Sequence, residues 1–209
     1  ARHRSVTPKD AEADPFALSL HPDLLLSKKH WARHVLITGS VGSGKSVILK
    51  HILEQLTRKR DAKLFLYDIK GDFTSIFKRP IIVSPFDARS HVWDVAADVR
   101  TPTQAAAFAA SLIPEGDGNA KFWSMAAQDL LIGCVRELQN TRPGEWEWPD
   151  LAALVRRPAA EMAAGMRPHY PRGAALVRDP ESQTTSSVLS SLGGFTRLID
   201  DLATAWPKV

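Results

Sequence analysis

A chain of 209 residues has room for one α/β domain, or for a smaller α/β unit with a helical annex. The apolar share of 44% and charged share of 24% are ordinary for a soluble globular protein, and no apolar run nears the roughly 20 residues that span a bilayer. No signal peptide is visible, the single Cys134 excludes an intramolecular disulfide, and a net charge of +4 permits a polyanionic partner without requiring one.

Residues 1–33 read as a polar lead-in, with Pro8, Pro15 and Pro22 and a short strand expected near Phe16–Leu20. Basic residues gather at Arg2 and Arg4, at Lys28-Lys29-His30 with Arg33, and at Arg58-Lys59-Arg60 with Lys63; each group is read as a solvated face. From 34 to 100 the pattern is that of a nucleotide-binding α/β part. His34–Thr38 is an apolar strand ending at glycine, and Ser46–Arg58 carries Ile48, Leu49, Ile52, Leu53 and Leu56 as a helical stripe. Leu64–Asp68 and Ile81–Ser84 are two further β-type runs, so the order predicts a parallel, two-faced sheet.

Residues 101–209 are expected to be all-helical. Thr101-Pro102-Thr103-Gln104 is a capping box with proline at the first helical position, opening a helix over Pro102–Ile113. A loop over Pro114–Asn119 precedes a long helix around Lys121–Leu138, in which Cys134 beside Leu130-Leu131-Ile132 reads as a buried thiol. Short helices follow near Asp150–Arg156 and Pro158–Met166. A last stretch, capped at Asp179-Pro180 and interrupted at Gly193-Gly194, runs to about Ala205.

The chemistry centres on "VLITGSVGSGKS", Val35 to Ser46. Gly39, four residues, then Gly44-Lys45-Ser46 is the P-loop pattern, placed as it must be between a strand and an amphipathic helix. Glycines 39, 42 and 44 let the backbone of Gly39–Val47, including Ser40, Val41, Ser43 and Val47, curl around an anion. The next helix aims its positive end at the same hollow. Lys45 reaches the β- and γ-phosphates of ATP, and the Ser46 hydroxyl ligates the Mg²⁺ that arrives with the nucleotide. Asp68, 23 residues after Lys45 at the end of "LFLYD", supplies a carboxylate at a strand end. Spacing leaves two roles open for it: the Walker B acid of a compact kinase-like fold, or an auxiliary acid of a larger motor.

Four further segments follow the P-loop in order: "YDIKGDF" (Tyr67–Phe73), "SPFDARSHVWD" (Ser84–Asp94), "LIPEGDGNAKFW" (Leu112–Trp123) and "TTSSVLSSL" (Thr184–Leu192). Together they resemble the TraD/TrwB-like type IV coupling proteins of conjugation. Asp68, Gly71, Asp72 and Phe73 match that family's D-x-x-G-E/D-F element; Pro85, Asp87, Arg89 and Trp93 match its P-x-D-x-R…W segment, and Phe122-Trp123 its F-W pair. Asp72 stands where glutamate is common.

The resemblance implies a RecA-like P-loop core, incomplete in this chain, with an inserted all-α domain. It implies a homo-hexameric motor at the cytoplasmic face of the bacterial inner membrane, although a membrane anchor is absent from this sequence. Such a motor hydrolyses ATP to move single-stranded DNA or protein into a secretion channel, with relaxosome proteins and secretion-channel ATPases as partners. The family's Walker B acids follow the helical insertion, so the chain is expected to be a fragment without them, binding nucleotide with little hydrolysis.

Two alternatives stand beside this expectation: a compact P-loop small-molecule kinase using Asp68, and a non-catalytic module that docks DNA or a relaxosome protein. Of the six tryptophans, Trp31, Trp93, Trp123 and Trp206 are read as packing residues, while Trp146 and Trp148, in a polar loop, are left between packing and base stacking. The hydroxyl run Ser182–Ser191 is either a weakly specified surface helix or a phosphate-contacting face. The scattered histidines predict no metal site apart from the nucleotide's Mg²⁺.

Overall fold

The computed structural model describes Ala11, residues 14–59 and residues 61–207, so Arg2, Arg4 and Arg60 of the basic groups lie outside the described residues. Two compact units divide the chain, Ala1–Pro80 and Ile81–Val209.

In the first unit, Leu18–His21 (β1) and Leu24–Leu26 (β2) pair antiparallel, Leu18 opposite Leu26, with an irregularity between Ser19 and His21. A short turn of helix, Lys28–Trp31 (α1), follows, and the Trp31 indole N–H donates to the Phe16 carbonyl at 2.9 Å. The P-loop helix Lys45–Thr57 (α2) lies against β1: its Gln55 amide clasps the Ser19 backbone, donating to the Ser19 carbonyl and accepting from its N–H, both at 2.8 Å.

The parallel sheet predicted for this region is corrected by the structure. The only sheet among the described residues is the β1–β2 hairpin; residues 34–38, 64–68 and 81–84 run without ladder partners. Their apolar side chains stand in the open accordingly, with Leu36 88% and Phe65 101% exposed. The apolar runs and their glycine stop are real strand signals. A strand, however, exists only when a second one satisfies its N–H and C=O groups, and here none does.

The second unit is built of helices because its core can be completed within the sequence. They are Val95–Asp98 (α3), Pro102–Leu112 (α4), Asn119–Thr141 (α5), Trp148–Val155 (α6), Ala159–Met166 (α7), Pro171–Leu176 (α8), Gln183–Phe195 (α9) and Arg197–Ala205 (α10). No strand occurs among the described residues from 101 onward. The expected capping box is present: Thr101 Oγ1 accepts the Gln104 N–H at 3.2 Å, and Gln104 Oε1 accepts the Thr101 N–H at 2.9 Å.

Long, apolar α5 is the axis on which α4, α6, α7, α8 and α9 pack, burying Leu130, Leu131, Cys134, Val135 and Leu138. Gly133 is required there, since a Cβ would collide with the Met166 thioether of α7. At one end of the unit Trp148 meets Trp93 at 5.4 Å, Phe108 at 6.2 Å and Trp206 at 6.3 Å between ring centroids, in tilted arrangements. The Trp148 indole N–H is satisfied by the Trp93 carbonyl at 3.1 Å.

Trp146 and Trp148 are each only 1% exposed, so base stacking is excluded for both, and the "polar loop" around them is the cap of α6. Gly193-Gly194 does not interrupt α9. Each glycine costs about 1 kcal/mol in a helix, but Val188 and Leu192 anchor that face in the core, and the break falls instead at Thr196. The α9 N-cap is Ser182, whose hydroxyl accepts the Thr185 N–H at 3.1 Å, rather than Asp179-Pro180.

Burial in α5 pushes the Cys134 thiol up to about 12, with the nearby Glu137 carboxylate adding to the effect. A raised pKa removes the reactive thiolate throughout the neutral range. We therefore expect a thiol reagent at pH 8 to label Cys134 only as fast as the helical unit opens, and at once in denaturant. Rapid labelling of the native protein would contradict this packing.

Candidate nucleotide-binding site

The loop that joins residues 34–38 to α2 contains the two conformations that its glycines allow. Gly42 (φ +80°) and Gly44 (φ +86°) both lie in the left-handed region, and Gly44 serves as the α2 N-cap. At Gly39 an added Cβ would force the exposed Ser43 hydroxyl to turn aside. The loop is thereby folded back on the start of α2, where the first N–H groups of a 13-residue helix are free of intrahelical partners.

Lys45 is the first residue of α2, and its ammonium is turned onto its own loop. Nζ donates to the Gly39 carbonyl at 2.7 Å, the Ser40 carbonyl at 2.5 Å and Ser43 Oγ at 3.4 Å. Those acceptors hold the cation against its own loop. Ser40, Val41, Gly42, Ser43, Ser46 and Val47 are exposed on the same loop and first turn.

The structure brings Asp68 to this place. Ile37, Lys45, Ser46 and Leu49 form one side of a hollow of about 310 Å³, and Tyr67, Asp68, Ile69, Lys70, Asp72 and Phe73 form the other. Asp68 Oδ2 accepts the Phe73 N–H at 2.9 Å, closing a turn that passes through Gly71 (φ +71°) and is braced by the Thr74 hydroxyl on the Gly71 carbonyl at 2.9 Å. The D-x-x-G-D-F element is thus a compact turn organised by its own first residue. Tyr67, Lys70 and Asp72 share the hollow although the sequence marks none of them as site residues. Their position one to four residues from Asp68 around a tight turn is the available signal.

A helix N-terminus, a cation, a hydroxyl and a carboxylate in one hollow fit a nucleoside polyphosphate with its divalent ion. Among the described residues, no three His, Cys, Asp or Glu side chains gather as a metal set of their own.

A family description of this geometry exists. The model for the type IV secretion-system coupling protein DNA-binding domain matches residues 19–208. The chain belongs to that family. Coupling protein TraD of Escherichia coli (strain K12) is 26% identical over 121 residues, covering 56% of this chain and 17% of TraD. Among solved structures, the unbound monoclinic form of the conjugative coupling protein TrwBdeltaN70 is similar with a TM-score of 0.71 at 22% identity, over 87% of this chain and 42% of that one. TrwB in complex with the non-hydrolysable GTP analogue GDPNP is similar with a TM-score of 0.66 at 23% identity, over 83% of this chain and 40% of that one. This coupling-protein chain therefore shares the fold of the two TrwB structures, and it spans less than half the length of each of the three relatives.

The P-x-D-x-R segment of the coupling-protein chain lies in the second unit. Arg89 Nε and Nη2 donate to the two carboxylate oxygens of Asp87 at 3.0 and 2.7 Å, and the Ser90 hydroxyl accepts the Ser84 N–H at 2.8 Å. The guanidinium and the Arg89 N–H hold the Asp87 carboxyl down at about 2, against an ordinary 3.8. A depressed folded-state pKa contributes stability above the unfolded value, and the contribution disappears as pH falls from about 4 to about 2. In an NMR titration we expect Asp87 to titrate near 2 and to return toward 3.8 in Arg89→Ala. An unchanged midpoint in that variant would contradict the bidentate pair.

Proposed function

We infer that this chain is the nucleotide-binding part of a conjugative coupling motor, which uses ATP to drive single-stranded DNA, or nucleoprotein, into a secretion channel. The observation that carries the reading is the hollow in which the P-loop and the Asp68 turn face each other. Lys45 takes the β- and γ-phosphates in exchange for the Gly39 and Ser40 carbonyls, and Ser46 holds the nucleotide's Mg²⁺. Asp68 orients that ion or its water from across the hollow. The bound nucleotide supplies the driving chemistry; the protein's residues position it and stabilise the charge that develops on the transferred phosphoryl group. TrwB's complex with a GTP analogue supports a triphosphate in this fold. The P-loop pattern does not choose between adenine and guanine.

Family membership and an all-helical second unit argue against the small-molecule kinase. We infer further that residues 34–38 and 64–68 pair with strands supplied by the remainder of the motor, which also supply the Walker B acid. An arginine from a neighbour in a homo-hexameric ring completes the site. Relaxosome proteins, secretion-channel ATPases and the cytoplasmic face of the inner membrane complete the proposed setting. Among the described residues no helix is long and apolar enough to cross a membrane.

The experiment is equilibrium binding of fluorescent ATP and GTP analogues with Mg²⁺, paired with a turnover assay. We expect measurable binding, weakened roughly 10- to 100-fold in Lys45→Ala by loss of a charge-assisted contact, and turnover near background. Vigorous hydrolysis abolished by Lys45→Ala would promote Asp68 to the Walker B role and overturn the need for outside strands. Absence of binding to either analogue would overturn the nucleotide reading itself.

A further inference from the structure

The formal charge of +4 is unevenly divided. Residues 1–80 hold 15 Lys and Arg against 8 Asp and Glu, a net +7, while residues 81–209 hold 12 against 15, a net −3. The helical unit neutralises itself locally as well. Arg89–Asp87, Lys121–Glu115, Arg142–Asp150, Arg156–Asp200, Arg157–Glu137 and Arg172–Asp129 are all ion pairs. In the first unit, the ion pair between described residues is His21–Asp23, and no described lysine or arginine of that unit lies at that range from a described carboxylate.

Folding also joins two basic groups that the sequence keeps apart. The ammonium of Lys28 sits 4.7 Å, and that of Lys59 5.9 Å, from the centroid of the Phe16 ring. Lys59 Nζ is fixed further by the Pro15 carbonyl at 2.6 Å. Arg58 lines a hollow of about 510 Å³ with Pro15, Phe16, Gln55, Lys59 and Asp61, and Lys29 extends the basic surface from α1. Among the described residues, the carboxylates within this surface are Asp14 and Asp61. Asp14 accepts the N–H groups of Lys28 at 2.5 Å and Phe16 at 2.8 Å and stays ionised, so the four cations Lys28, Lys29, Arg58 and Lys59 outnumber the two described carboxylates.

We propose that this surface, formed by Lys28, Lys29, Arg58 and Lys59 around Phe16, is where the chain tracks the phosphate backbone of single-stranded DNA. The contact to DNA phosphates accordingly lies on the nucleotide-binding unit and not on the helical one. The proposal rests on the reading of the chain as a DNA-handling coupling protein. A nucleic-acid backbone suits the surface better than a membrane does. A peripheral membrane site combines cations with apolar side chains that enter the bilayer, and no large apolar side chain is exposed between residues 14 and 34 or 54 and 63 among those described. Two of the cations, Lys28 and Lys59, are also held by the Phe16 face, and Lys59 by the Pro15 carbonyl.

The test is fluorescence anisotropy of a labelled oligothymidylate bound to the 209-residue chain across a salt series. Each phosphate contact contributes about 0.7 to the slope of log K against log salt for single strands. We expect neutralisation of Lys28, Lys29, Arg58 and Lys59 to Gln to flatten the slope by about 3, and K29Q/R58Q by about 1.4. The double variant leaves the Phe16 packing intact and so guards against a folding artefact. Neutralising Arg100, Arg167, Arg178 and Arg197 of the helical unit is expected to leave the slope unchanged. The proposal is overturned if the patch variants keep the parental slope, if the helical variant flattens it instead, or if no DNA binds at low salt. Binding to phosphatidylglycerol vesicles but not to DNA would overturn it in favour of a membrane surface. Nucleotide binding is measured on the same samples: DNA slopes that fall as expected in a protein that binds no nucleotide would keep the surface and remove the motor reading, and the converse would do the reverse.

Discussion

Backbone N–H and C=O groups in extended segments need partners from another segment, and in this protein that requirement decides what the nucleotide site can do. Residues 34–38 carry the P-loop and residues 64–68 carry Asp68, yet neither is laddered. Helix α5 satisfies its own backbone and needs only an apolar face to bury, which α4 and α6 to α9 provide. The two units therefore differ in kind. The helical one is held by its own interior, while the other presents its chemistry on segments without ladder partners. The turn closed by Asp68 on the Phe73 N–H is a local brace there, and the clasp of Gln55 on Ser19 ties α2 to β1 over a longer range.

Binding and hydrolysis make different demands on such a site. On the proposed reading, a phosphate would be recognised by a helix N-terminus, a glycine-shaped loop and Lys45, all of which are local to residues 39–46 and do not depend on a sheet. Phosphoryl transfer additionally needs an acid and a water held to a fraction of an ångström. A carboxylate on an unladdered segment does not meet that demand. The separation of recognition from turnover thus follows from which groups depend on the missing ladder.

Much of this was legible in the sequence, and the failures share a cause. The capping box at Thr101, the long helix through Cys134 and the P-loop were readable because each is specified within a few turns of chain. The strand-end pattern marked Asp68 as a candidate carboxylate but left its role and its distance from Lys45 open; the structure places both residues on the lining of one hollow, although the strands themselves do not form. The sheet was over-read because the pattern of Leu64–Asp68 records what the segment is suited to, not whether a partner is present. Trp146 and Trp148 were undecided because a polar loop and a helix cap look alike in composition, and only the packing of Trp93, Phe108 and Trp206 around Trp148 distinguishes them. The meeting of Lys28 and Lys59 over Phe16 joins residues 31 positions apart, and no local pattern announces it.

Native-state hydrogen exchange, read residue by residue, tests the central claim most directly. The account predicts that amides of residues 35–38 and 64–67 exchange almost as fast as an unstructured peptide, while those in the middle of α5 are protected by orders of magnitude. Protection of residues 35–38 and 64–67 comparable to that of α5 would mean that a sheet closes within this chain, and would contradict the account.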